Sequence, residues 1–162
     1  MNMNVVKKAS VTCTKQYRDF CFFHRQHKHD GHCRYVHGHA TWGFDLEFIC
    51  ENLDSNGFVV DFGKLKAIKQ MLDLWFDHTL CINDSDPFKE YFYDMQSKGI
   101  CDLRVLPDVG AEGLAQFVFG EASKVLKAQF PDRPDLRIKK VVCWEDSKNY
   151  ATYEETYEVP CL

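Results

Sequence analysis

No stretch of this chain is dense in lysine and arginine. Its 162 residues hold 20 basic and 24 acidic side chains, for a formal charge of −4. A nucleic-acid-binding surface is therefore not expected. No apolar run approaches the roughly 20 residues that cross a bilayer. Residues 1–10, MNMNVVKKAS, carry neither an apolar centre nor a small-residue cleavage site, so no signal peptide is read there. The expectation is a cytoplasmic protein without membrane contact. No CxxC occurs among the eight cysteines, and most of these thiols sit in apolar or alternating segments, as Cys50 and Cys143 do. Scattered thiols of that kind read as reduced rather than as a disulfide scaffold. Repeats, linkers and low-complexity tracts are also missing. With 45% apolar and 27% charged residues, the chain reads as one soluble globular domain, 1–162, long enough to bury a core.

What the chain does concentrate is histidine. Six of its seven histidines lie between His24 and His39, with Cys33 among them. This stretch ends in His37-Gly38-His39 and runs into an alternating segment, 40–50, where Trp42, Phe44, Leu46, Phe48 and Cys50 are apolar and Thr41, Asp45 and Glu47 polar. That pattern predicts a strand with one dry and one polar face. Side chains two apart on a strand point the same way, so His37 and His39 are expected side by side on the polar face. Two imidazoles placed there gain nothing from packing and make sense as two ligands of one metal.

The alternation, rich in Val, Thr, Tyr and Phe, predicts a first strand over 10–23. A polar loop follows, with a turn at Asp30-Gly31. The second strand spans 36–53, Asp54 to Gly57 forms a hairpin turn, and a third strand covers 58–62. Leu65, Ile68, Leu72 and Trp75 predict a helix over 63–75. Between 84 and 107, Asp86-Pro87 starts and Gly99 stops a short extra helix, followed by a short strand over 102–106. A long helix spans 111–129, with Gly120 an unexplained cost inside it. Strands over 136–145 and 150–157 close the chain. Strands, then helices, then strands give an α+β fold with an antiparallel sheet.

His24 at the end of the first strand can meet His37 and His39 at the start of the second. Three neutral imidazoles with no obvious fourth protein ligand form an open zinc site of the catalytic kind. Cys33 has three readings: a fourth ligand closing a structural site, a buried structural thiol, or a proton-transfer group of lowered pKa. The residues alone leave the first and third even. His27, His29 and His32 read as loop residues. Asp77-His78 follows a helix where the apolar pattern breaks, and such a pair can move protons, although alone it is usually inert. Glu112, in the first turn of a helix, suits the helix dipole. Glu145, after Val141-Val142-Cys143-Trp144, either binds a donor-rich ligand edge or meets solvent.

Taken together, FFHR at 22–25, CRYVHGH at 33–39, VVDFGKLK at 59–66, FDHTL at 76–80, AEGLA at 111–115 and VCWE at 142–145 resemble the 6-pyruvoyltetrahydropterin synthase and 6-carboxytetrahydropterin synthase family. The resemblance implies the tunnelling fold (T-fold), an antiparallel sheet with two helices on one face that joins others in an oligomeric β-barrel. It implies a trimer-based homohexamer. It further implies that His24, His37 and His39 bind Zn2+ and that Cys33 moves a proton at the substrate side chain with Asp77 and His78. Glu145 would anchor the pterin, with Glu112 near it. The implied reaction is a lyase step on a pterin triphosphate, 7,8-dihydroneopterin triphosphate. The three residues between Cys33 and His37 resemble the 6-carboxy branch of queuosine (7-deazapurine) biosynthesis rather than the 6-pyruvoyl branch. A non-catalytic zinc module is the reading outside enzymology. Two features depart from the family pattern: Val109-Gly110-Ala111 stands before Glu112, where Pro-Thr is common, and about 84–106 looks like an insertion.

Overall fold

The computed structural model describes residues 10–156; Tyr157, the last residue expected in a strand, lies outside them. The alternating start of the chain forms β1 (Val11–Phe20), which bends at Asp19, whose φ is 66°. After Cys21 the chain resumes as β2 (Phe22–Arg25), so the expected single strand over 10–23 is two. β3 is only His37–Gly38, and a turn at 40–41 separates it from β4 (Trp42–Cys50). The predicted strand 36–53 is therefore also broken, and His39 stands just past the end of β3.

β4 is the inner strand of an antiparallel sheet. It lies between β1 and β7 (Arg137–Trp144), with β8 (Tyr150–Glu154) beyond β7. Tyr17 faces Phe44 across one ladder, and Phe44 faces Cys143 across the other. All nine residues of β4 are buried, so its second face is polar but not wet. Arg18 pairs with Asp45, and the Trp144 indole N–H donates to the same carboxylate at 2.9 Å. Lys139 and Lys140 reach Glu47 at 3.1 and 2.9 Å. Burial pushes the Glu47 carboxyl up, and its two lysine partners more than reverse the shift. Alternation alone does not reveal this covering, because it comes from long side chains on neighbouring strands.

Helical spacing of Ile68, Leu72 and Phe76 buries one side of α1 (Lys66–Phe76). Leu114, Val118, Ala122 and Leu126 do the same for α3 (Ala111–Gln129). Both helices cover one face of the antiparallel sheet, as the family resemblance implied. Phe20, Phe22, Phe44 and Phe76 meet beneath them, with ring centres 4.9–6.4 Å apart. A third helix, α2 (Lys89–Ser97), belongs to a second, smaller sheet. That sheet has the order β3-β2-β5-β6, with β5 at Thr79–Asn83 and β6 at Leu103–Leu106. Here β2 pairs antiparallel with β3 but parallel with β5, and β5 parallel with β6. The expectation of an antiparallel sheet thus holds for the larger sheet only. For β5 and β6 the reason is the βαβ unit β5-α2-β6, since a crossover helix returns the chain in the same direction. Phe92 of α2 packs on Leu80, Ile82 and Leu103.

The third strand expected over 58–62 does not form. The Asp54 carboxylate takes the N–H groups of Asn56 and Phe58, both at 2.9 Å, and Gly57 adopts φ 80°. Asp61 then accepts from Gly63 N–H at 2.8 Å and starts a 3-10 turn, Phe62–Lys64. These local side-chain bonds compete with a ladder for the same backbone donors. No helix among the described residues is long and apolar enough to cross a membrane.

Candidate functional site

The pairing of β2 with β3 sets His24 opposite His37, and His39 follows two residues on. The three rings converge, with centres 4.4, 5.3 and 5.5 Å apart. One ligand atom from each lies within 4.8 Å of the others. His24 Nδ1 donates to the Val109 carbonyl at 2.7 Å, and His37 Nδ1 to the Tyr35 carbonyl at 2.8 Å. Those partners assign the proton of each neutral ring to Nδ1 and leave Nε2 with a bare lone pair. The two Nε2 atoms lie 3.1 Å apart. Two lone pairs facing at that distance repel unless a cation sits between them. Nitrogens on one tetrahedral zinc, each about 2.0–2.1 Å from the ion, stand about 3.3 Å apart. The donor set and its carbonyl-anchored rings therefore fit zinc. Burial lowers the His24 pKa to about 4; the Val109 hydrogen bond opposes this, and His37 and His39 add to it. His24 is thus held in the neutral form that a metal requires.

Trp42 lies under the cluster. Its ring meets His24 and His39 edge-on at 5.1 and 5.0 Å and stacks on Phe22 at 4.5 Å. The Val109 carbonyl is held by a second chain of contacts. Asp108 accepts from Gly110 N–H at 3.0 Å, which closes the turn before α3. At Gly113 a Cβ would stand 2.4 Å from Asp108 Cβ, so a glycine is what lets that turn sit on the helix. Sequence reading missed Val109, Asp108, Gly113 and Trp42 as supports. The Asp-x-Gly spacing at 108–110 was the available signal for a side-chain-capped turn.

A cavity of about 550 Å³ opens beside His24, lined also by Cys33, Glu112, Glu145, Lys28 and Tyr150. That volume suits a small ligand. Cys33 is half-buried in the 3-10 turn His32–Arg34, and its carbonyl takes Gln26 N–H at 2.9 Å. Glu145 follows β7, and its N–H donates to the Asn149 carbonyl at 3.0 Å. Glu112 sits in the first turn of α3. Both carboxylates approach Cys143, whose thiol is raised well above its ordinary value, first by burial and then by Glu145 and Glu112. The cavity therefore gathers four of the candidate site residues, His24, Cys33, Glu112 and Glu145, together with His29, read from the sequence as a loop residue. Cys33 stands outside the group of converging metal-ligand atoms.

Asp77 and His78 are elsewhere in the chain's own fold. His78 Nδ1 bonds Asp77 at 2.8 Å, and the two side chains are 82% and 48% exposed. His78 holds φ 57°, and its N–H donates to the Cys21 carbonyl at 2.7 Å. It lines a separate, mainly apolar cavity of about 410 Å³ with Cys21, Phe23, Leu80, Met95 and Cys101. Within one chain, the pair does not share the cavity of Cys33.

Known proteins resemble this chain in sequence and in fold. The chain is 35% identical over 77 residues to a 6-carboxy-5,6,7,8-tetrahydropterin synthase of Rickettsia bellii, and 32% over 77 residues to that of Rickettsia typhi. Each match covers 47% of this chain and 54% of the relative, so the chain spans about half the length of the curated relatives it matches. Among solved structures, an uncharacterised Wolinella succinogenes protein superimposes with a TM-score of 0.74 at 18% identity, covering 91% of this chain and 99% of that one. The 6-pyruvoyl tetrahydropterin synthase of Caenorhabditis elegans gives 0.58 at 18%, covering 91% and 96%. A Plasmodium vivax 6-pyruvoyltetrahydropterin synthase gives 0.59 at 14%, covering 92% and 98%. The shared architecture is the tunnelling fold. The family model for 6-pyruvoyl tetrahydropterin synthase matches residues 12–156, and the chain belongs to that family.

Proposed function

We propose that this protein is a zinc-dependent 6-carboxy-5,6,7,8-tetrahydropterin synthase. It would convert 7,8-dihydroneopterin triphosphate and water to 6-carboxytetrahydropterin, acetaldehyde and triphosphate. The observation that carries the reading is the convergence of two anchored, proton-free Nε2 atoms beside a cavity holding Cys33, Glu112 and Glu145. Bound at His24, His37 and His39, zinc would acidify the hydroxyls of the substrate side chain and the neighbouring C–H bonds. Cys33 takes and returns a proton at that side chain. Glu145 accepts hydrogen bonds from the guanidine-like edge of the pterin, a paired geometry that suits a carboxylate, and Glu112 flanks it. Asp77 and His78 complete proton transfer from a second copy of the chain, since within one copy neither lines the cavity of Cys33 and His78 lines another. A homo-oligomer, trimer or hexamer, also suits a sheet whose outer strands β1 and β8 have unpaired edges among the described residues.

The 6-carboxy product is favoured over the 6-pyruvoyl one by the names of the Rickettsia relatives and by the three residues between Cys33 and His37. A non-catalytic zinc module closed by Cys33 is disfavoured, because that thiol stands outside the ligand group. Incubation of zinc-loaded protein with dihydroneopterin triphosphate tests the proposal. Acetaldehyde and a product of 6-carboxytetrahydropterin mass are expected. A product that keeps the side chain assigns the 6-pyruvoyl branch, and unconsumed substrate refutes the enzyme reading.

A further inference from the structure

Residues 26–32 have no role in the mechanism above, yet Gln26, Lys28 and His29 line the cavity. This loop is braced from within: Gln26 N–H donates to the Cys33 carbonyl at 2.9 Å, and His29 N–H to the Gln26 carbonyl at 3.0 Å. Gly31 N–H donates to His29 Nδ1 at 2.8 Å. The Asp30 carboxylate stands 3.9 Å from the same nitrogen, beyond hydrogen-bond reach. Nδ1 is therefore an acceptor, and the ring proton sits on Nε2, as a donor. Gly31 permits this contact, because a Cβ there would lie 2.8 Å from His29 Cε1. Lys28, next to it, is the one lysine or arginine among the described residues lining the cavity.

The same cavity is lined by Glu112, in the first turn of α3, and by Glu145, just after β7. A polyanion cannot lie against them without like-charge repulsion in a partly desolvated space. The cationic and ring N–H donors among the lining residues, Lys28 and His29, come from the loop, and the two carboxylates from α3 and the end of β7. We infer that Lys28 and His29 form the subsite for the substrate's triphosphate, with Gly31 the residue that positions His29. This inference rests on the proposed function and assigns the two ends of that substrate to different lining residues, the pterin to the carboxylates and the triphosphate to the loop. Lys28 supplies a mobile point charge and His29 a fixed N–H. Both contacts are charge-assisted on the phosphate side, where such bonds are strongest.

The experiment measures calorimetric binding of neopterin and of neopterin triphosphate, neither of which turns over, to the zinc-loaded protein and to K28M, H29F and G31A. Wild-type protein should bind the triphosphate at least tenfold more tightly than neopterin. K28M and H29F should each cut that preference severalfold and together abolish it, while neopterin affinity and zinc content stay within twofold. G31A should act like H29F, because it displaces the same ring. A preference that survives in the K28M/H29F double variant overturns the inference, as does wild-type protein that binds both compounds alike. In the second case the pterin site itself stands; wild-type protein that binds neither compound refutes the proposed function as well.

Discussion

Acidification should destabilise the metal-free protein through a single buried imidazole. His24 is almost wholly buried, and its pKa falls from 6.5 in the open chain to about 4 in the fold. Above pH 6.5 both states leave the ring neutral and no difference arises. As pH falls below that value the unfolded chain takes up a proton that the folded one refuses, so folded stability declines until about pH 4. At 1.36 kcal/mol per unit, the full shift is worth about 3 kcal/mol, and the part lost between pH 7 and pH 5 is about 2 kcal/mol. Depressed carboxylates such as Glu47 and Asp135 lose their contribution only below that window. The assay is urea denaturation of chelator-treated protein at pH 7, 6 and 5, compared with H24Q, which keeps an N–H for the Val109 carbonyl. Wild-type stability should fall by about 2 kcal/mol and that of H24Q by clearly less. Zinc should steepen the wild-type dependence, since its ligands must shed protons to bind. A wild-type profile flat from pH 7 to 5, or one shared by H24Q, refutes the argument.

Three further outcomes follow from the same geometry. C33A should keep zinc at one equivalent per chain while turnover drops by about 10² to 10⁴, the range for a lost proton-transfer group; zinc analysis and product assay decide, and a parallel loss of zinc would make Cys33 a ligand. G120A should raise stability by about 0.5–1 kcal/mol in urea denaturation, because a Cβ there meets nothing within 4 Å and alanine is the better helix former. F76A should cost about 3–5 kcal/mol, since that ring is fully buried against Phe20, Phe22 and Phe44; a loss below 1 kcal/mol would mean that the aromatic cluster is not a packed core.

Elements whose pattern is local were legible in the sequence, and those settled by distant partners were not. α1 and α3 announced themselves by apolar spacing, and α2 by the Asp86-Pro87 start and the Gly99 stop, where φ is 70°. The expected strand at 58–62 had the right composition, but Asp54 takes the N–H of Phe58 at its start and Asp61 that of Gly63 just past its end. The parallel pairing of β2 with β5 joins residues more than 50 positions apart, and nothing in either segment encodes its partner. The candidate site divides in the same way. His24, His37 and His39 lie within 16 positions and could be read together. The carbonyl that fixes His24 belongs to Val109, 85 positions away. The ligand set is thus written in one short stretch, whereas the proton position that makes His24 a ligand depends on Asp108, Gly110 and Gly113 seating a turn against it. A substitution at Gly113 should therefore weaken zinc binding without touching any ligand, because the contact it breaks is the one that orients Val109.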